Sequence, residues 1–266
     1  MIENKQKNTV LIVGTGPGNP ELLTLRAESA IRSADVLLYD CKTVEPALSI
    51  ASATASVIAV ERSLYENGLG CREETPMILA IQGHYHNGLR VVRLKAGDPT
   101  LFGGEVDESD ILDRIGIPYE IVPGVSAGAV AACTYAMPIS RKFESDVVVN
   151  IIASEITDDF ALFRDAAKLL GHGATMVLYM ATANMSGILG AFREEGVPEQ
   201  MPVVAVSKVG WPEEAMVETT LGAMGADGFS LGISEPVVYT IGRYVRVRNS
   251  NSESRKRSVI FSKCGE

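Results

Sequence analysis

A lone carboxylate in an otherwise bare backbone turn is the first sign of chemistry in this chain. The stretch Val91-Val92-Arg93-Leu94-Lys95-Ala96-Gly97-Asp98-Pro99-Thr100-Leu101-Phe102-Gly103 reads as a strand that breaks into a small-small-acid-proline turn. Such a turn sets Asp98 and an unencumbered main chain at the carboxyl edge of a sheet, where open α/β folds bind ligands. Pro99 fixes the turn and removes a donor, and Gly97 lets another molecule approach the backbone. A capped surface turn is the plainer reading of the same residues. A second loop, Gly14-Thr15-Gly16-Pro17-Gly18-Asn19-Pro20, follows an apolar run at 10–13 and strengthens the ligand reading. It is a poor dinucleotide fingerprint: Asn19 stands where a third glycine belongs, and two prolines delete amides that would cradle a pyrophosphate.

Other reactive side chains are scattered. Cys41, Cys71, Cys133 and Cys264 lack the paired spacing of zinc or redox sites, so they read as free thiols in a reducing cytoplasm. His84 and His86 lie in a polar stretch and His172 in a Gly-His-Gly turn; each reads as a solvated residue, and no metal site is expected. A net charge of −9 lacks the basic footprint of a nucleic-acid binder, although a local basic patch can still hold an acidic substrate. No apolar run is long enough to span a bilayer, and residues 1–9 do not resemble a signal peptide.

The elements that must position these turns alternate in the βαβ manner. Strands are expected at 9–13, 36–39, 56–60, 90–94 and 119–122, separated by helical or polar segments, which predicts a mostly parallel N-terminal sheet. After Pro123-Gly124 a small-residue helix opens a second domain. Its strands, at 147–153, 175–181, 203–207, 216–221 and 237–245, are crowded at the end with little helix between them, which predicts a mixed sheet. The expected division is 8–123, 124–246 and a polar, frayed tail at 247–266, within which 259–261 could dock on a neighbour.

The motifs GTGPGNPELLT (14–24), DVLLYD (35–40), VVRLKAGDPTLFG (91–103), GIPYEIVPGVSA (116–127), TMVLYM (175–180) and PVVAVSKVGWPEE (202–214) come in one order along nearly the whole chain. In that order the chain resembles the tetrapyrrole methylase family, enzymes that use S-adenosyl-L-methionine to methylate ring carbons in sirohaem and cobalamin synthesis. The resemblance implies the two-domain class III methyltransferase α/β fold, a homodimer, and S-adenosyl-L-homocysteine as product. It proposes Pro17, Ala96, Gly97, Asp98, Leu101, Ser126, Ala127, Met180 and Val209 as cofactor contacts; core packing is the plainer reading of Met180 and Val209. Asp40 matches a proposed general base in uroporphyrinogen III methyltransferases, with turn capping as the alternative. Arg62 stands where those enzymes tend to carry a lysine and keeps the charge without being a proton donor at neutral pH. Arg93, Lys95, Arg141 and Lys142 are candidates for the acidic arms of a tetrapyrrole, ordinary surface charge being the alternative.

Methyl transfer from a sulfonium asks the protein chiefly to position two partners, with one carboxylate to receive a proton. The motifs look most like uroporphyrinogen III C-methyltransferase. Gly104-Glu105-Val106-Asp107 and Ala153-Ser154-Glu155 depart from that enzyme's glycine-arginine and glycine-histidine patterns, while Gly173-Ala174-Thr175 and Trp211-Pro212-Glu213-Glu214 look more like a precorrin-4 methyltransferase. A noncatalytic cofactor-binding regulator is a further alternative. A ribosomal RNA methyltransferase branch shares the fold but differs in its first loop.

Overall fold

The computed structural model describes residues 9–61, 75–102, 108–154, 156, 159–224 and 231–248, and the backbone of 256–259. Contacts divide the chain into two compact units, Met1–Ser126 and Ala127–Glu266.

The first unit is built on β1 (Val10–Gly14), β2 (Val36–Tyr39), β3 (Ser56–Ala59), β4 (Val91–Lys95) and β5 (Tyr119–Val122). They pair in the order β3-β2-β4-β1-β5, every pairing parallel. The apolar runs fall in these strands because each is bounded by turn residues; the inner strands β1, β2 and β4 are buried on both faces, while the edge strands β3 and β5 are largely exposed. Helix α1 (Leu25–Ser33) starts where the Thr24 hydroxyl accepts from the Ala27 amide, and it buries Ala27, Ala30 and Ile31 at helical spacing. Helix α2 (Pro76–His86) starts the same way, on Thr75, with a proline in its first turn. His84 and His86 lie in its last turn, not in a connecting stretch.

The two faces of this sheet differ. One packs Val13, Leu37, Val92 and Leu94 with α1 and the 3₁₀ segment Lys42–Ile50. The other packs Val10, Ile12, Val36, Leu38 and Val91 with α2 and α3 (Glu108–Arg114). Since strand side chains alternate, Arg93 and Lys95 continue the Val91 stripe on the α2/α3 face. That parity decides the chemistry of the site.

The second unit comprises α4 (Ala127–Thr134), β6 (Val148–Ile152), α5 (Ala161–Gly171), β7 (Thr175–Tyr179), α6 (Met185–Glu194), β8 (Pro202–Ser207), β9 (Ala215–Thr220), β10 (Val237–Ile241) and β11 (Lys256–Val259). Its sheet is mixed, in the order β11-β9-β8-β10-β7-β6. A large apolar cluster from α5, α6 and the sheet, including Phe163, Leu178, Phe192 and Tyr239, forms its core. Strand β10 stops at Ile241, short of the expected residue 245, where the Val245 amide turns back to the Gly242 carbonyl. The tail also differs from expectation: residues 256–259 add to β9 as a parallel edge strand. An uncovered β9 edge presents N–H and C=O groups that an extended segment can satisfy. Among the described residues no helix is long and apolar enough to cross a membrane.

Candidate functional site

The two turns singled out in the sequence meet at the carboxyl edge of the first sheet. Thr15 donates to the Lys95 carbonyl through both its amide (2.8 Å) and its hydroxyl (3.0 Å). Gly16 and Gly97 exchange backbone bonds of 3.2 and 2.8 Å. The Pro123-Gly124 turn closes on them so tightly that a Cβ on Gly124 would lie 2.0 Å from the Gly97 carbonyl oxygen and 2.8 Å from Gly14 Cα. Pro17 thereby follows directly on a loop stitched to Lys95 and Gly97. At Gly97 the backbone is left-handed (φ 66°), and a Cβ there would meet no atom of the described residues within 4 Å, so among these residues the edge is open beside the main chain. Asp98 caps its own turn: Oδ1 accepts from the Thr100 amide at 2.8 Å and its hydroxyl at 2.7 Å. Leu101 completes the turn, its amide donating to the Asp98 carbonyl at 3.1 Å.

One strand over, four charged groups come together. Arg93, 2% exposed, donates from Nη1 and Nη2 to the two oxygens of Asp40 at 3.0 and 2.8 Å. Its Nε and Nη2 donate to Glu108 Oε1 at 3.0 and 2.9 Å, and Nη1 also donates to the Leu94 carbonyl at 2.7 Å. Those bonds occupy all five guanidinium donors. Burial works against the charge of Arg93, but the charges and hydrogen bonds of Glu108 and Asp40 outweigh it and hold the guanidinium above its ordinary pKa. Lys95 sits 2.9 Å from Glu108 Oε2, an ion pair outside hydrogen-bond geometry.

This geometry bears on the expected roles of Arg93 and Lys95. Arg93 is not a surface charge: it is buried, and its donors are spent within the protein. Lys95 is likewise buried and faces Glu108. Asp40 remains half-buried at the end of β2, its orientation fixed by the fork. The neighbouring Cys41 thiol is pushed up by burial and by Asp40, which keeps it from acting as a thiolate nucleophile. Arg62 lies outside the described residues, as do Gly104-Glu105-Val106-Asp107 and Glu155.

In the second unit, β7 and β8 end at the same sheet edge, flanking the start of β10: Tyr179 pairs with Val238 and Ser207 with Val237. Both strands are followed by a left-handed non-glycine residue, Met180 (φ 51°) and Lys208 (φ 48°). Met180 is 55% exposed, so core packing does not account for it. Val209 is 4% exposed, as core packing predicts. The turn that carries Val209 is pinned by buried Glu214, whose Oε1 accepts from the Tyr135 hydroxyl at 2.9 Å and whose Oε2 accepts from the Gly210 amide at 2.6 Å. Ser126 and Ala127 are half-buried where α4 begins. Gly128 brings α4 against β7, since a Cβ there would lie 2.5 Å from the Tyr179 hydroxyl. Arg141 is exposed, paired with Glu144 at 2.7 Å and lying 5.5 Å from the Tyr244 ring centroid; Lys142 lies over Phe143.

Glu108 and Glu214 escaped the sequence reading. A signal for the first existed: two cations on one face of a central strand require buried carboxylates. The second closes the Trp211-Pro212-Glu213-Glu214 motif, which pointed to the family and not to its bonds with Tyr135 and Gly210.

Residues 9–225 match the family model described as Tetrapyrrole (Corrin/Porphyrin) Methylases. The uroporphyrinogen-III C-methyltransferase of Paracoccus denitrificans (strain Pd 1222) is 32% identical over 231 residues, covering 87% of this chain and 79% of that protein. Among solved structures, a cobalt precorrin-4 methyltransferase matches at TM-score 0.77 and 26% identity, covering 91% of this chain and 98% of the other. The uroporphyrin-III C-methyltransferase of Thermus thermophilus, complexed with S-adenosyl homocysteine, matches at TM-score 0.72 and 25% identity, covering 89% and 98%.

Proposed function

Because the chain belongs to the tetrapyrrole (corrin/porphyrin) methylase family, we propose that it is an S-adenosyl-L-methionine-dependent C-methyltransferase converting uroporphyrinogen III to precorrin-2, in sirohaem and cobalamin synthesis. The observation that carries this reading is local: on neighbouring strands of one sheet lie a backbone edge open at Gly97 and a carboxylate, Asp40, held rigidly by Arg93.

The residues fit the donor. Pro17 and the main chain of Ala96, Gly97 and Asp98 form an edge that a ligand can approach, with Leu101 beyond it. In the second unit the resemblance proposes Ala127, Met180 and Val209 as cofactor contacts, and the exposure of Met180 supports its part; Ser126 is proposed likewise. When bound, S-adenosyl-L-methionine supplies a methyl group activated on a sulfonium, so no protein nucleophile is required. A proton must leave the macrocycle once a ring carbon has gained the methyl. Asp40 is fitted to receive it, since each of its oxygens keeps a lone pair after accepting from Arg93. Arg62, Arg141 and Lys142 are proposed partners for the acidic arms of the macrocycle. The protein is further proposed to be a cytoplasmic homodimer, which light scattering at micromolar concentration tests.

Incubation with labelled methyl donor and uroporphyrinogen III is expected to add two methyl groups, read by pigment mass. A single addition, to precorrin-4 or cobalt-precorrin-4 only, assigns C11 methylation instead. The match to the cobalt precorrin-4 methyltransferase fits that second reading, and the similarity to uroporphyrinogen-III C-methyltransferases supports the first. Calorimetry showing no heat with S-adenosyl-L-homocysteine on folded protein overturns both.

A further inference from the structure

The charged cluster under β4 is organised toward one end. Side-chain exposure is 3% for Arg93, 9% for Lys95 and 11% for Glu108, but 22% for Asp40. Two cations and two carboxylates balance, and the helix that supplies Glu108 brings Ile111 and Leu112 over the same apolar stripe. A buried ion network of this kind is a weak source of stability compared with apolar packing of equal volume. What it does supply is direction. Without Glu108, Arg93 is free to turn in its pocket and to hold Asp40 by one oxygen instead of two. With Glu108 gripping Nε and Nη2, the opposite side of the fork can point only at Asp40.

We propose that Glu108 is a positioning residue for methyl transfer: acting through Arg93, it fixes the plane of the Asp40 carboxylate, and Lys95 holds Glu108 in turn. The proposal rests on the reading of Asp40 as the proton acceptor. It moves Arg93 and Lys95 from substrate binding to the support of the base, and it leaves the donor-binding edge untouched.

The test is a double-mutant cycle on turnover, using the tetrapyrrole that the wild-type protein methylates. Glu108→Gln preserves size and one acceptor but removes the charge that balances Arg93 and Lys95. Its kcat is expected to fall by about a hundredfold, the scale of a misplaced catalytic group. The KM for the tetrapyrrole and the calorimetric affinity for S-adenosyl-L-homocysteine are expected to stay at wild-type values. Asp40→Asn is expected to lower kcat by about 10²- to 10⁴-fold. Adding Glu108→Gln to Asp40→Asn is then expected to cost nothing more, because the second change acts only through the first.

Losses that multiply in the double variant overturn the proposal, as does a wild-type kcat for Glu108→Gln. If Glu108→Gln fails to fold by near-ultraviolet circular dichroism, Arg93→Lys carries the same cycle. It keeps the charge but cannot grip both carboxylates, and the same non-additivity with Asp40→Asn is expected. A wild-type protein that methylates no tetrapyrrole overturns the functional reading and this inference together; an active wild type with multiplying losses overturns this inference alone.

Discussion

In the first unit, β1 and β4 end in glycine and proline turns whose backbones touch, and beneath β4 two cations face two carboxylates. In the second, β7 and β8 end in Met180 and Lys208, ordinary side chains held at positive φ, above a core that is almost wholly apolar. The first unit thus fixes its strand ends by residue type and charge, and the second fixes them by packing around them. Even within the first unit the contrast recurs. Asp35 and Asp40 flank β2 and take Arg90, just before β4, and Arg93, within it. The Asp35–Arg90 pair lies in solvent and clips two strand starts together. The Asp40–Arg93 pair is buried on the arginine side and reinforced by Glu108. Identical chemistry becomes a solvent-facing clasp in one place and a rigid, partly buried fork in the other, because burial decides how strongly charge is felt.

The sharpest way to break the comparison is at Gly124. Gly124→Ala forces a methyl to within 2.0 Å of the Gly97 carbonyl, and a loss of about 4 kcal/mol is expected by urea denaturation. A midpoint equal to wild type removes the close-approach account of the first unit.

Next comes alkaline titration of the second unit. Burial, with a smaller contribution from Glu235, pushes the Tyr239 phenol up to about 12 although a bond with Thr182 opposes this. The unfolded chain therefore releases that proton first, and the stability the neutral phenol contributes is complete below about pH 10 and is lost as pH rises through 12. The difference in stability between wild type and Tyr239→Phe should change by about 3 kcal/mol across that window. A constant difference across it contradicts the buried, neutral phenol.

A smaller effect is expected at Glu214. Glu214→Gln exchanges charge-assisted bonds to Tyr135 and Gly210 for neutral ones, at a cost of about 1 kcal/mol in thermal denaturation. A loss of several times that would mean the turn after β8 depends on charge as much as the Arg93 cluster does.

The smallest expected effects come as an opposed pair. Gly97→Ala introduces a side chain at φ 66° where no atom of the described residues obstructs it, and should cost about 1 kcal/mol. Lys208→Gly relieves the same kind of backbone strain and should gain about 0.5 kcal/mol, the relief exceeding the added entropy of the unfolded chain. If both destabilise equally, strain does not distinguish the two units.

Much of the first unit was legible before folding was considered. Its strands are apolar runs between glycine, proline and polar punctuation, and the Gly14 and Gly97 turns announce themselves by composition. The ring of partners was not. Arg93 reads as a substrate ligand in one dimension because Asp40 lies 53 positions away and Glu108 lies 15. In the second unit Met180 and Lys208 carry no mark of positive φ, since neither is a residue that favours it.

The amino-acid order by itself determined the strands, the turns between them and the family, because those follow from local propensity, side-chain period and motif succession. Tertiary structure alone decided that β4 lies between β2 and β1, which sets Arg93 beside Asp40 and under α3. It decided as well that a buried guanidinium finds its partners inside the protein. Sheet order and burial depend on contacts between distant segments, and the Asp40 carboxylate is held in one orientation only when those contacts close around Arg93.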